Sequence, residues 1–218
     1  MKTYVTSETL AEKTQQWLEQ IAPYNTCPME LNTGRAALLI VDMQMYFLDE
    51  SSHACMYSGL AVLPHIKRLI ERFREAGRPV IFTRHAHSPD GGDLGIMGQW
   101  WSDMCIEGSP ESEIHPNIAP RPEERVILKQ RYSAFYNTDL EAALQDQNIE
   151  DVVICGVMTN LCCETTARDA FIRDYRVFFP ADGTGSANEE MHLATLMNLA
   201  YGFAKITTVD EIIGQSNS

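Results

Sequence analysis

Hydrophobic and polar positions along this chain alternate between two rhythms. Short apolar runs recur at Ala36–Val41, Pro79–Thr83, Arg125–Lys129, Val152–Cys155, Arg176–Pro180 and Ala204–Val209. Runs of that length, rich in β-branched residues, read as buried strands. Between them the apolar positions fall three and four apart. Leu63, Ile66, Leu69, Ile70 and Phe73 mark a helix from Leu60 to Ala76, closed by Gly77. A second helix is expected over Asp139–Gln147 behind Asn137 or Thr138, and a fourth over Glu189–Tyr201. The third follows the run ending at Gly156: Cys163, Ala167, Ala170 and Phe171 share one face, while Glu164–Arg168 and Asp169–Arg173 pair acid before base on another. Strand and helix alternate throughout, which predicts an α/β fold with a central parallel sheet and helices on both faces, joined by right-handed crossovers.

Two stretches stand outside this rhythm. Residues 1–34 form a polar arm with a possible helix from Ser7 to Ile21, interrupted afterwards by Pro23, Pro28 and Gly34. It could pack on its own domain or reach another subunit; residues 35–218 read as one domain. The second stretch, His85 to Pro122, is rich in Gly, Pro and Ser and carries Trp100 and Trp101. Irregular insertions of this length are usually functional, so it is expected to form a lid or wall, with a short helix near Ile96–Met104.

Three polar residues fall at the carboxyl ends of predicted strands: Asp42, Lys129 and Cys162. That edge is where open parallel sheets place their ligands. Thr159 and Asn160 are good helix caps, which puts Cys162 in the first turn of its helix. Backbone N–H groups there stabilise a thiolate and lower its pKa, and they can hold an oxyanion. Each residue also has a plain structural role open to it: Cys162 as a small buried hydrophobe, Asp42 as a cap, Lys129 as a solvated cation. Together they form a coherent set, with a base for the thiol and a cation for the thiolate. Cys163, about 100° further round the helix, is expected in the core.

Composition narrows the class. The chain has 218 residues, 44% hydrophobic and 22% charged, with a formal net charge of −13. No basic patch is evident, which argues against nucleic-acid or anionic-membrane partners. No stretch reaches the roughly 18 apolar residues of a membrane helix. The first ten residues lack the apolar core of a signal peptide, and Cys27, Cys55, Cys105, Cys155, Cys162 and Cys163 show no framework spacing. A reducing, cytoplasmic setting is expected. There is no CxxC pair for zinc, and His85-x-His87 is a weak ligand pattern at a strand end, where the chain turns into a loop. Neither metal nor cofactor is expected. Asp182-Gly-Thr-Gly185 lacks the spacing of a nucleotide loop.

Asp42-Met-Gln-Met-Tyr-Phe47, Lys129-Gln-Arg-Tyr-Ser-Ala-Phe135 and Gly156-Val-Met-Thr-Asn-Leu-Cys162 resemble, in order and spacing, the three signature segments of the isochorismatase-like cysteine hydrolases. The likeness extends over about residues 35–212. It implies a Rossmann-like three-layer α/β/α fold and an Asp42–Lys129–Cys162 triad. It further implies a cis peptide at Val157–Met158, which would aim the N–H groups of Met158 and Cys162 at one point as an oxyanion hole. Gln44, Phe47, Trp100 and Tyr132 are the candidate substrate-binding walls, with Trp101 beside Trp100. A small-molecule substrate and a homodimer or homotetramer follow from the same resemblance. Amidase members of this family attack a C–N carbonyl with the cysteine. Isochorismatases proper cleave a vinyl ether with the Asp as acid and carry no cysteine at that position. Cys162 favours the first, whereas the Lys129–Phe135 segment looks more like the second. The metal-binding Asp-x-His pair of the family's nicotinamidases is absent after the first motif. An alternative of another class is a non-catalytic interaction module on the same scaffold.

Overall fold

The computed structural model describes residues 3–215, so Met1, Lys2 and residues 216–218 of the expected arm and domain lie outside it. In chain order the elements are α1 (Leu10–Ile21), β1 (Ala36–Val41), α2 (Met45–Leu48), α3 (Tyr57–Glu75), β2 (Val80–His85), α4 (Met97–Trp100) and β3 (Arg125–Lys129). They continue with α5 (Leu140–Asp146), β4 (Asp151–Val157), α6 (Glu164–Phe171), β5 (Arg176–Pro180), β6 (Thr184–Gly185), α7 (Glu189–Gly202), β7 (Lys205–Thr207) and α8 (Val209–Gln215). The sheet runs β3-β2-β1-β4-β5-β7, with β6 paired to β4, and every pairing is parallel.

The apolar runs explain the order. All six residues of β1 and all seven of β4 are buried, so both faces of these central strands need helical cover. Leu38, Ile40, Val153 and Ile154 are fully enclosed, each burial stabilising by roughly 1.5–3 kcal/mol. From α3, Val62, Ile66, Leu69, Ile70 and Phe73 supply one stripe of that cover. The helix begins at Tyr57, earlier than periodicity places it, and carries Pro64 inside. It stops where Gly77 takes a φ of 62°, a conformation that glycine adopts without penalty.

Gly156 does not end its strand. β4 runs on through it to Val157, and Gly156 has a φ of 125° where a Cβ would lie 2.0 Å from the carbonyl oxygen of Val41. The glycine lets β1 and β4 stay in register to Val41–Gly156, at the edge where both chains leave the sheet.

The amino-terminal segment packs on its own domain. Val5, Leu10, Trp17 and Ile21 are buried, Trp17 Nε1 donates to Glu189 at 2.8 Å, and Lys13 pairs with the same carboxylate at 3.0 Å. The helix starts at Leu10 rather than Ser7, because Thr6 and Thr9 bond each other in a preceding turn.

Candidate active site

The chain leaves β1 toward β2 and β3 on one side, and later returns as β4 on the other. That reversal opens a crevice outside the carboxyl ends of β1 and β4. Asp42 is the first residue past β1. Its φ of 51° lies in the left-handed region, which short polar side chains tolerate better than most. Thr83 on β2 holds it there twice: Asp42 N–H donates to Thr83 Oγ1 at 3.1 Å, and the same hydroxyl donates to Asp42 Oδ1 at 2.5 Å.

Lys129 ends β3, in register with His85 at the end of β2. It reaches across β2, so that Nζ lies 2.7 Å from Asp42 Oδ2, 3.3 Å from Cys162 Sγ, 3.2 Å from His85 Nδ1 and 3.1 Å from the Arg131 carbonyl. Asp42 and Lys129 are fully buried, and Cys162 and His85 are each only 6% exposed. Burial works to lower the Lys129 pKa, but the Asp42 carboxylate, with the Cys162 sulfur as a hydrogen-bond acceptor, outweighs it, and the lysine pKa is raised. Oδ2 faces the ammonium without hydrogen-bond alignment and has no hydrogen-bond partner.

Cys162 sits in a π-helical turn, Thr159–Cys163, between β4 and α6. The Val157–Met158 peptide before it is cis, and the Met158 carbonyl accepts from the N–H groups of Leu161 and Cys163. Neither Thr159 nor Asn160 caps this turn. Both side chains are drawn toward α7 and the turn before it instead: Thr159 Oγ1 meets His192 Nδ1 of α7 at 3.0 Å, and Asn160 accepts from the Ser186 hydroxyl at 2.6 Å and donates to Met191 Sδ of α7 at 3.4 Å. The expected lowering of the thiol pKa is also reversed. Burial pushes the Cys162 thiol up, the adjacent Asp42 carboxylate adds to this, and Lys129 opposes them with less effect. At rest this is a neutral thiol beside a carboxylate. Cys163 is fully buried in the core.

The candidate wall residues divide. Gln44 is fully buried and its amide is engaged inside the protein: Oε1 accepts from His85 N–H at 2.7 Å, and Nε2 donates to the carbonyls of His85 and Ser112 at 3.3 and 3.2 Å. It braces β2 against the insertion, with both ends of its amide already bonded inside the protein. Trp100 stands 75% exposed at the end of α4, whereas Trp101 donates to the Tyr132 hydroxyl at 2.9 Å. The exposed ring lines no enclosed wall; the Trp101–Tyr132 pair is the better candidate. Phe47 is part-buried, edge-on to Tyr46 at 5.0 Å. The insertion folds across the exit of β1, through Met45 N–H to Glu113 and His115 N–H to Met43, both backbone bonds.

His85 and Thr83 belong to this cluster; the sequence offers His85 only as a weak metal-ligand candidate and gives no signal for Thr83. Asp42 and Lys129 flank β2 in the sheet order, so whatever ends β2 must stand between them. Ligand atoms of Asp42, His85 and Cys162 lie within 4.8 Å of one another, close enough for a metal ion. The ammonium of Lys129 is in contact with all three, so this cage already encloses a cation.

An isochorismatase domain is recognised over residues 36–211. Nicotinamidase 3 of Arabidopsis thaliana is 42% identical over 194 residues, 87% of this chain and 92% of that one. Isochorismatase of Bacillus subtilis (strain 168) is 29% identical over 194 residues, covering 88% of this chain and 62% of its own length. Among solved structures, a cysteine hydrolase from Pseudomonas syringae pv. phaseolicola 1448A superposes with a TM-score of 0.84 at 28% identity, over 88% of this chain and 98% of that one. The chain belongs to the isochorismatase family of hydrolases, with the parallel α/β fold of that group.

Proposed function

We propose that this hydrolase cleaves the C–N bond of a small amide or ureido compound through a covalent acyl-enzyme on Cys162. The observation that carries the reading is the buried Cys162 Sγ 3.3 Å from the Lys129 ammonium and within 4.8 Å of an Asp42 carboxylate oxygen, with Asp42 Oδ2 lacking a hydrogen-bond partner and able to take a proton. A neutral resting thiol suits this role. Asp42 removes the thiol proton as sulfur attacks the carbonyl carbon, and Lys129 compensates the charge that develops. The N–H groups of Met158 and Cys162 hold the oxyanion. Asp42 then returns the proton to the departing nitrogen, and ammonia or an amine leaves. Water attacks the thioester with Asp42 again as base, and the thiol is restored as the acid departs. The identity with nicotinamidase 3 supports an aromatic carboxamide as the first substrate to try. Assembly as a dimer or tetramer, in the cytoplasm and without a metal, is part of the same proposal.

A vinyl-ether hydrolysis with Asp42 as proton donor is the second reading, favoured by the likeness to an isochorismatase. Ammonia release from a panel of aromatic amides and ureido acids, with isochorismate in parallel, separates the two. The C–N reading requires ammonia release that Cys162→Ala abolishes. Turnover of isochorismate alone, undiminished by that substitution, would replace it with the second.

A further inference from the structure

His85, the last residue of β2, and His87, two residues on, turn their rings toward each other. Their Nε2 atoms meet at 3.2 Å, and both outer nitrogens are also engaged: His85 Nδ1 with Lys129 Nζ at 3.2 Å, His87 Nδ1 with Asp93 Oδ1 at 3.1 Å. An ammonium can only donate and a carboxylate can only accept. With both rings neutral, one polarity satisfies every contact. Lys129 donates to His85 Nδ1, His85 Nε2–H donates to His87 Nε2, and His87 Nδ1–H donates to Asp93. Burial, aided by the Lys129 charge, lowers the His85 pKa to about 3 and keeps that ring neutral. Burial pulls the Asp93 pKa upward, but the Ser88 N–H and His87 together outweigh it and keep the carboxylate ionised.

The chain of contacts also closes on itself. Arg131 Nη1 donates to the Asp93 backbone carbonyl at 3.0 Å, and Lys129 Nζ donates to the Arg131 carbonyl at 3.1 Å. Lys129 therefore sits in a ring that runs through His85, His87, Asp93 and Arg131 and returns to it. Asp93 lies in the loop after β2, its side chain 31% exposed, where solvent meets an otherwise buried circuit.

We infer that His85, His87 and Asp93 are positioning residues for Lys129: Asp93 sets the tautomer of His87, which sets that of His85, which gives the ammonium a third acceptor besides Cys162 and the Arg131 carbonyl. The logic is that of a carboxylate fixing a histidine tautomer, extended by one ring. The other tautomer of His85, or its protonated form, would turn an N–H toward the Lys129 ammonium and drive it from its place. The charged and titratable groups facing His85 are Lys129 and Arg131 from the β3 side, Asp42 beyond β1, Cys162 from the π turn, and His87. The kinetic part of this inference rests on the hydrolase reading proposed above; the tautomers do not.

Two measurements on the full chain test it. Nitrogen-15 imidazole spectra at neutral pH should show His85 as its Nε2–H tautomer and His87 as its Nδ1–H tautomer. Kinetics should compare His87→Phe, which keeps a ring without donor or acceptor, with His87→Gln, which can accept from His85 and donate to Asp93. The Phe variant should lose kcat by about 10²-fold with KM little changed, as expected for a displaced catalytic group, and Gln should recover most of it. His87→Phe should also abolish the single tautomer of His85. Asp93→Asn should mix the tautomers of both rings, and it serves if His87→Phe does not fold. An Nδ1–H tautomer at His85, a Phe variant with unchanged kcat, a Gln variant as impaired as Phe, or a stoichiometric divalent metal on the purified histidine pair would overturn the inference. If no substrate is found, the spectra alone decide it.

Discussion

The body of the sheet and its carboxyl edge are built from the same strands by opposite rules. In the body, β1 and β4 meet through Leu38, Ile40, Val153 and Ile154, apolar side chains that any good packing could satisfy. At the edge, just past β1 and at the ends of β3 and β2, Asp42 and Lys129 are as thoroughly enclosed and His85 nearly so, yet each depends on a particular partner at a particular distance. Burial stabilises the first set directly. For the second it is a cost offset only by pairing, so the edge is stable only as a unit. Function concentrates where the fold tolerates that cost.

The sharpest way to break this contrast is Lys129→Met. It leaves Asp42 buried without its cation and should cost about 3–5 kcal/mol, read as a shift of the urea midpoint, besides removing turnover. The double variant Asp42→Asn, Lys129→Met should be destabilised by less than the sum of the two single changes, because neither residue then buries an unpaired charge. Gly156→Ala strikes the junction between the two regions. A methyl there collides with the Val41 carbonyl at a φ that alanine avoids, so a loss of about 3 kcal/mol or more is expected in thermal or urea denaturation.

Acid should act on the polar set and spare the apolar one. His85 and His192 are both lowered to about 3, chiefly by burial, from an ordinary value of 6.5. Between those values the unfolded chain holds more protons than the folded one. Their contribution to stability is therefore complete above pH 6.5 and is lost progressively as pH falls toward 3. Urea midpoints should decline already between pH 6.5 and 5, above the range where ordinary carboxylates titrate. At the small end, Ile154→Val should cost about 1 kcal/mol in the same assay and leave catalysis unchanged. A large catalytic effect there would erase the distinction between body and edge.

The same contrast explains what was legible beforehand. Apolar runs announce themselves by local pattern, and so the strands and most helices could be placed from the chain alone. Asp42, Lys129 and Cys162 could be singled out because each ends a run. His85 reads in the sequence only as a weak ligand candidate, since its importance comes from standing between the strands of Asp42 and Lys129, a fact of sheet order. Thr159 and Asn160 have the chemistry of caps, but α7 competes for their side chains, and no pattern within the motif reveals that. The thiol was misjudged for a related reason. A helix start and a lysine are visible in the sequence, whereas burial next to Asp42 is visible only in the fold. Gln44 and Trp100 show the insertion's conformation deciding which residues face inward.

The most direct test of the central claim is acid-quenched intact-mass and peptide spectrometry during turnover of an aromatic carboxamide, beside the Cys162→Ala variant. The account predicts a transient adduct of the acyl mass on the peptide bearing Cys162, and no turnover in the variant. Wild-type turnover retained by Cys162→Ala would contradict it and leave Asp42 as the reacting centre.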